Sequence, residues 1–404
     1  MSNEKYHKFK TWFRGQRTTL DAEHRVTLEA NRGAVWFHAA SVGEFEQARP
    51  LIERLRRERP QQKIVVTFFS PSGYEARKNY AQADGVYYLP FPTRRNAKRF
   101  IKALQPKMAI FVKYEFWPAY IRVLHKRNVP TYSICAIFRK HQYFFRWWGK
   151  SQISVLKQFT HLYVQDEASR RLLAEHGVHN ASVAGDTRFD RMQEVFDVNQ
   201  QNPKAGLTPI AQFVEGCERV IVAGSTWPKD EQLLASYMAA NESSAKLILV
   251  PHELDEKHLH TIFNLFKGAF VRYSTITNAS SPVSSRSILQ KTRVLMVDTM
   301  GLLSSTYMFG NVAYIGGGFG AGIHNTIEAA VYGKPVIFGP NYEHFREAKG
   351  LIEAGAARSI KNYSELNAAL ETALNNSAEI GAKAAEYVQS ELGATEKIYK
   401  ELFR

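Results

Sequence analysis

A carboxylate that is to take a proton from an alcohol must stand where a substrate can reach it, and the run around Glu44 offers such a place. Residues 36–50 read WFHAASVGEFEQARP: an apolar strand ending at His38, a turn of Ala39, Ala40 and Ser41, then Gly43 and Glu44 opening a helix. The dipole at a helix start favours an ionised carboxylate, and a carboxylate facing a cleft is a candidate general base. The same placement suits a plain helix cap, and the spacing does not separate the two readings. A second run, AIFVKYEFWPAY over 109–120, is an apolar strand followed by Lys113, Glu115 and Trp117-Pro118 at a helix start. Lys113 and Glu115 therefore belong at that strand's carboxyl end, beside the Glu44 turn, either in the chemistry or as a structural ion pair.

The second half carries a different chemistry. Residues 312–340, VAYIGGGFGAGIHNTIEAAVYGKPVIFGP, run from a strand into Gly316, Gly317, Gly318, Gly320 and Gly322, then His324-Asn325 and a helix expected from near Thr326. Glycines at a strand-to-helix turn let backbone amides approach a ligand, and the helix start favours anions. Glu328, four residues after His324, is expected on the same helical face, where it can accept from both hydroxyls of a ribose. A dinucleotide fingerprint opens the first βαβ unit of its domain, so glycines this late speak against an NAD-dependent oxidoreductase. Two further turns, Gly224-Ser225-Thr226 in VIVAGSTWPKDE and Met300-Gly301 in VDTMGLL, also follow strands. Three such turns at one carboxyl edge mark the place where an open α/β sheet binds ligands.

Short β-rich runs alternating with amphipathic stretches position these residues, and the pattern predicts parallel sheets. Strands are expected at Ala34–His38, Lys63–Thr67, Val86–Leu89, Met108–Val112, Thr131–Ala136 and His161–Val164, and again at Val220–Ala223, Lys246–Val250, Val294–Val297, Val312–Ile315 and Pro335–Phe338. Helices are expected at Glu44–Arg59, Arg94–Leu104 and Glu231–Asn241. Two such sets predict two doubly wound domains, 1–200 and 201–380, with a helical tail, 381–404, crossing back to the first. The polar, proline-bearing stretch Val198–Gln212 reads as the linker, and Ser274–Ser287 as a surface loop.

The 404 residues carry 53 Lys+Arg against 38 Asp+Glu. Residues 1–200 hold 34 basic and 18 acidic side chains, while residues 201–404 hold 19 and 20. The excess positive charge thus sits in one half and points to an anionic partner there. Within it, FRKHQYFFRWWGK (138–150) interleaves Arg139, Lys140, His141, Arg146 and Lys150 with aromatics, a mixture suited to an anionic lipid surface or to stacked single strands. Two cysteines exclude a disulfide framework. No apolar run approaches the ~18 residues of a spanning helix, and MSNEKYHKFKTWFRGQR lacks a signal-peptide core. The chain is expected to be cytoplasmic.

Taken in order and spacing, WFHAASVGEFEQARPLIE, YEFWP, GSTWPKDE, DTMG and YIGGGFGAGIHNTIEAAVYGKPVIFGP resemble the 3-deoxy-D-manno-oct-2-ulosonic acid (Kdo) transferases of lipopolysaccharide synthesis, from about residue 30 to the C-terminus. The resemblance implies the GT-B fold, two Rossmann-like domains facing a cleft, and inverting transfer of Kdo from CMP-Kdo to the 6′-hydroxyl of a lipid A precursor without metal or cofactor. It implies Glu44 as catalytic base and Glu115 as second carboxylate. It places Ser225, Thr226, Met300, Gly301, Gly317, Gly318, His324, Asn325 and Glu328 on the CMP phosphate and ribose. Ser41, Gly43, Lys113, Arg139, Lys140 and Arg146 then fall to the acceptor and an anionic membrane face on the cytoplasmic side, with no role for nucleic acid. Three departures stand out: Lys113 for the first Glu of ETExWP, Trp227 for the His of STH, and Pro251-His252-Glu253 for PRH. The apolar anchor of many relatives is also absent from MSNEKYHKFKTWFRGQR: either a segment that carries it is missing here or the protein attaches by its basic face. The competing readings are a GT-B enzyme using a UDP-sugar and a non-catalytic protein that binds anionic lipid.

Overall fold

The computed structural model describes residues 15–16, 18–146, 149–203, 205–241, 245–267, 270–278 and 282–404. The readings placed on MSNEKYHKFKTWFR and Arg17, on Trp147-Trp148 and on the Lys150 side chain lie outside the described residues. The chain divides into two compact units, Met1–Arg191 with Glu391–Arg404, and Met192–Ser390.

The first unit is built on β1 (Val35–Ala39), β2 (Ile64–Phe68), β3 (Gly85–Tyr88), β4 (Met108–Val112), β5 (Thr131–Ala136), β6 (His161–Val164) and β7 (Ala181–Val183). They form one sheet in the order β3-β2-β1-β4-β5-β6-β7. All pairings are parallel, with Trp36 opposite Val65 on one side and Ala109 on the other. Both faces are covered, so the strands read as continuous apolar runs. Period two then sorts the side chains: Trp36 and Phe111 pack with Phe100 and Tyr120 on one face, while Phe37 and Ile110 pack with Phe45 and Leu51 on the other. Each fully buried side chain of this size contributes about 1.5–3 kcal/mol.

The tail belongs to that second face. Helix Ser377–Ser390 ends, Gly393 adopts φ +102°, and helix Ala394–Phe403 begins. Asp190 accepts from the Gly393 and Thr395 amides, both at 2.7 Å, and Ile398, Tyr399, Leu402 and Phe403 join the core. Arg54 stacks on Tyr399 at 4.3 Å and pairs with Glu396.

The second unit repeats the plan with β8 (Val220–Thr226), β9 (Lys246–Pro251), β10 (Phe270–Arg272), β11 (Val294–Met296), β12 (Val312–Ile315), β13 (Val336–Phe338) and β14 (Ala357–Ser359), ordered β10-β11-β9-β8-β12-β13-β14. Both sheets change winding direction beside their first strand, between β1 and β4 and between β8 and β12. These are the switch points at which such sheets bind ligands.

Three expectations are corrected. The stretch Val198–Gln212 is no loose linker: helix Thr187–Gln201 runs into it and helix Thr208–Val214 follows. Its polar Asn199 is buried because its side chain donates to Tyr332 Oη and accepts from Ser305 Oγ. The division between units falls within that helix, at Arg191, rather than at residue 200. The serine-rich stretch holds helices Tyr273–Thr277 and Pro282–Lys291. The first of these is fixed where Asp298 accepts from the Ser274 amide and hydroxyl.

Candidate active site

In the first unit, β1 ends at Ala39 and Ser41 caps helix Val42–Glu58. The Glu44 amide donates to Ser41 Oγ at 3.4 Å, and the Glu44 carboxylate reaches back to accept from the Ala40 amide at 2.6 Å. This is a capping box shifted by one residue. It holds Glu44 half-buried at the helix start. Burial and then the Glu115 carboxylate raise its carboxyl above the ordinary value, while the Ala40 amide, His38 and Lys113 pull it back. The same geometry serves the cap and a candidate base.

Across the switch point, Lys113 takes a left-handed conformation, φ +59°, which turns the chain sharply at the end of β4. Glu115 is 8% exposed and His38 fully buried. His38 Nε2 lies 3.1 Å from Glu115 Oε2, and Trp117 Nε1 donates to the same oxygen at 2.6 Å. His38 Nδ1 lies 2.9 Å from Thr67 Oγ1, which itself accepts from Trp36 Nε1 at 2.8 Å. Thr67 and Glu115 thus hold the two ring nitrogens of His38 from opposite sides. Glu115, expected in the chemistry itself, is thereby clamped below the surface, and its charge acts on Glu44.

In the second unit, Ser225, one residue before the end of β8, stands at φ +53°. Thr226 is buried and donates to Glu231 Oε1 at 3.1 Å, which also faces His258 Nε2 at 3.0 Å. Burial raises the Glu231 carboxyl. Asp230 is buried as well and accepts from three elements: the Trp227 amide at 3.0 Å, Tyr314 Oη at 2.7 Å and the Gly317 amide at 2.9 Å. The glycine turn is close-packed. A Cβ on Gly318 would stand 2.6 Å from the Gly339 Cα.

Trp227 stacks on His252 with ring centres 4.8 Å apart, and His252 meets His324 at 4.4 Å. Trp227 Nε1 donates to His324 Nε2 at 3.2 Å. Burial and the neighbouring His252 lower the His324 ring to about 4, so it is a neutral acceptor at pH 7. Asn325 Oδ1 accepts from the Ile327 amide while its Nδ2 donates to Glu328 Oε1, both at 3.1 Å.

Residues 12–191 match the family described as 3-Deoxy-D-manno-octulosonic-acid transferase (kdotransferase). The 3-deoxy-D-manno-octulosonic acid transferase of Rickettsia felis is 27% identical over 89% of this chain and 76% of its own length. That of Aquifex aeolicus is 28% identical over 85% and 86%. The chain is a glycosyltransferase, similar to Kdo transferases over most of its length. Among solved structures, a UDP-GlcNAc 2-epimerase from Neisseria meningitidis covers 91% of this chain and 99% of its own, with a TM-score of 0.65 and 14% identity. A second UDP-N-acetylglucosamine 2-epimerase gives 0.61 at 13% identity, over 92% and 95%. At this identity the likeness speaks for fold alone: two Rossmann-like units of the GT-B class.

Within this glycosyltransferase the expected residues fall into three groups. Ser41, Gly43, Glu44 and Lys113 gather with buried Glu115 at the carboxyl edge of the first sheet. Ser225, His324, Asn325 and Glu328 gather at the edge of the second, with Met300 80% exposed on the turn made by Gly301 at φ +86°. The Thr226 hydroxyl and the Gly317 amide donate to Glu231 and Asp230, beneath the turn. The helix after His324 is one turn, Ile327–Ala330. His324 lies ahead of it, so it shares no helical face with Glu328. In FRKHQYFFRWWGK, Phe138 and Phe144 pack on Phe116 in the core, while Lys140 and Arg146 stay exposed and Arg139 is half-buried. Of the described aromatics there, Phe138 and Phe144 are buried, Phe145 half-buried and Tyr143 exposed.

Sequence reasoning missed His38, Thr67, Asp230, Glu231 and Tyr314 as parts of the sites. The signal for Asp230 was its place three residues after Trp227 at a helix start. Nothing local marked His38 or Thr67. Among the described residues no group of three His, Cys, Asp or Glu could hold a metal ion, and no helix is long and apolar enough to cross a membrane.

Proposed function

We propose that this glycosyltransferase moves Kdo from CMP-Kdo to a hydroxyl of the lipid A precursor, the 6′-hydroxyl, with inversion. The acceptor oxygen attacks the anomeric carbon of Kdo, the bond from that carbon to the CMP phosphate breaks, and CMP leaves with the electron pair. Glu44 takes the hydroxyl proton. The reading rests above all on Glu44, whose carboxyl is raised toward neutrality by burial and by the clamped Glu115, as a base at neutral pH requires. In the second unit, Glu328 meets the ribose hydroxyls, and Ser225, Met300, Gly301, Gly318, His324 and Asn325 line the nucleotide. No resident metal or cofactor enters these steps. The basic first half supports work as a peripheral protein at the anionic cytoplasmic face of the inner membrane.

The test is incubation with freshly generated CMP-Kdo and tetraacylated lipid A precursor, with the product read by mass spectrometry. A mass gain of one or more Kdo units is expected. Transfer from a UDP-sugar in a parallel arm, with none from CMP-Kdo, refutes the donor assignment.

A further inference from the structure

From Gly85 to Gln165 the sequence holds 15 Lys and Arg residues and one carboxylate, Glu115, and that carboxylate is buried against His38. No acidic side chain of this stretch can neutralise its surface. A groove of about 1020 Å³ lies within the stretch, between helices Arg94–Leu104 and Pro118–Lys126. Its walls carry Arg94, Lys98, Arg122, His125, Lys126 and Arg127, and its lining contains no Asp or Glu. All six side chains are exposed. Arg94 and Lys98 stand four residues apart on one helix, Arg122 and Lys126 four apart on the other. Like charges at this spacing repel one another and weaken a helix, so the arrangement is relieved by an anion in the groove.

The rest of the lining decides the class of anion. It is Pro92, Pro118, Ala119, Val123 and Gln158, and the groove has no Phe, Tyr or Trp ring to form the stacking platform typical of single-stranded nucleic-acid sites. Apolar Pro118, Ala119 and Val123 instead offer contact to an aliphatic chain below a charged head.

We propose that this groove holds the phosphate-bearing head group of an anionic membrane lipid, with the cations on the phosphate and the apolar side chains on the start of the acyl region. The site is distinct from the Glu44 turn and from Arg139, Lys140 and Arg146. It rests on the reading of the first unit as the lipid-facing half of the enzyme.

The test is co-sedimentation of the full chain with vesicles of phosphatidylcholine, alone or mixed with phosphatidylglycerol. A cation near an anionic surface contributes about fivefold in partitioning, so Arg122→Gln/Lys126→Gln should bind the mixed vesicles about 25-fold more weakly. Arg94→Gln/Lys98→Gln should do the same. Arg170→Gln/Arg171→Gln, a pair in the same unit whose cations already face Glu167, should change binding less than twofold (about one part in the noise of such assays). Circular dichroism melts check that each variant folds. Equal losses from all three pairs would reduce the groove to diffuse attraction and overturn the proposal, as would no loss from the groove pairs. Displacement from the mixed vesicles by inorganic phosphate at constant ionic strength would assign the groove to the free anion and overturn the lipid. The vesicles contain neither donor nor acceptor, so failure here leaves Kdo transfer standing, and failed transfer leaves vesicle binding to be judged by itself.

Discussion

Glu44→Gln separates base from cap with little change of shape. The amide oxygen of Gln can still accept from the Ala40 amide, 2.6 Å away in the wild type, while the capacity to take a proton is gone. General-base catalysis contributes about 10²–10⁴-fold, or about 2.7–5.5 kcal/mol of barrier at 1.36 kcal/mol per tenfold. The turnover of Kdo transfer should fall by that factor, with CMP affinity unchanged by calorimetry. Stability should move the other way. Folding raises the Glu44 carboxyl, so between its unfolded and folded values the native state binds more protons, and stability falls as pH rises through that window. Above the window the ionised side chain opposes folding, and Gln removes that opposition. The variant should therefore match or exceed wild-type stability in urea at pH 8 and lose this advantage below about pH 4. The same raised value moves the acid limb of the rate profile upward. Turnover within threefold of wild type would refute the base, and a parallel loss of CMP binding would make Glu44 structural.

Asp230→Asn removes the negative acceptor from three buried donors, and at about 1–3 kcal/mol for a buried group left unsatisfied urea denaturation should shift by at least that amount, with weaker CMP binding as the glycine turn loosens. Gly318→Ala forces a Cβ to within 2.6 Å of the Gly339 Cα; overpacking of this kind costs about 1–3 kcal/mol, seen as a lower melting temperature. Gly43→Ala, in open space inside a helix, should instead gain up to about 1 kcal/mol, and a fall in transfer despite that gain would show that the acceptor needs the bare backbone. His324 has its ring lowered to about 4, so it stabilises the fold fully above the unfolded value and progressively less as pH falls toward 4. His324→Gln should flatten that acid loss, and an unchanged pH profile would contradict it.

Strand positions were legible because both sheets are buried on both faces, which makes runs such as MAIFV and VAYI stand out from their surroundings. The strands missed are the edge pieces β7, β10 and β14, each of three half-buried or exposed residues with no apolar run to mark them. The linker and the serine-rich loop misled for a related reason. Asn199 and Ser274 read as surface residues by type, yet each is held by hydrogen bonds from elements more than twenty residues away. Polarity reports a need for partners, and only the fold decides whether protein or water supplies them.

The sites show the same limit at finer scale. Turns that end strands announce themselves through Gly, Ser and helix-start carboxylates, so Glu44, Ser225 and Asn325 could be named. What fixes them arrives from the neighbouring strand across a switch point. His38 at the end of β1 meets Glu115 after β4, and Asp230 after β8 meets Tyr314 and Gly317 of β12 and its turn. These partners lie 77, 84 and 87 residues apart, too far for any local pattern. In both units a buried carboxylate ties the first strand's turn to that of the neighbour with opposite winding, and the exposed groups of the turn take their orientation from that tie. The arrangement makes Glu115 and Asp230 equivalent in construction though not in chemistry: loss of either should disturb its own turn, while in the proposed transfer only the turn of Glu44 supplies the base.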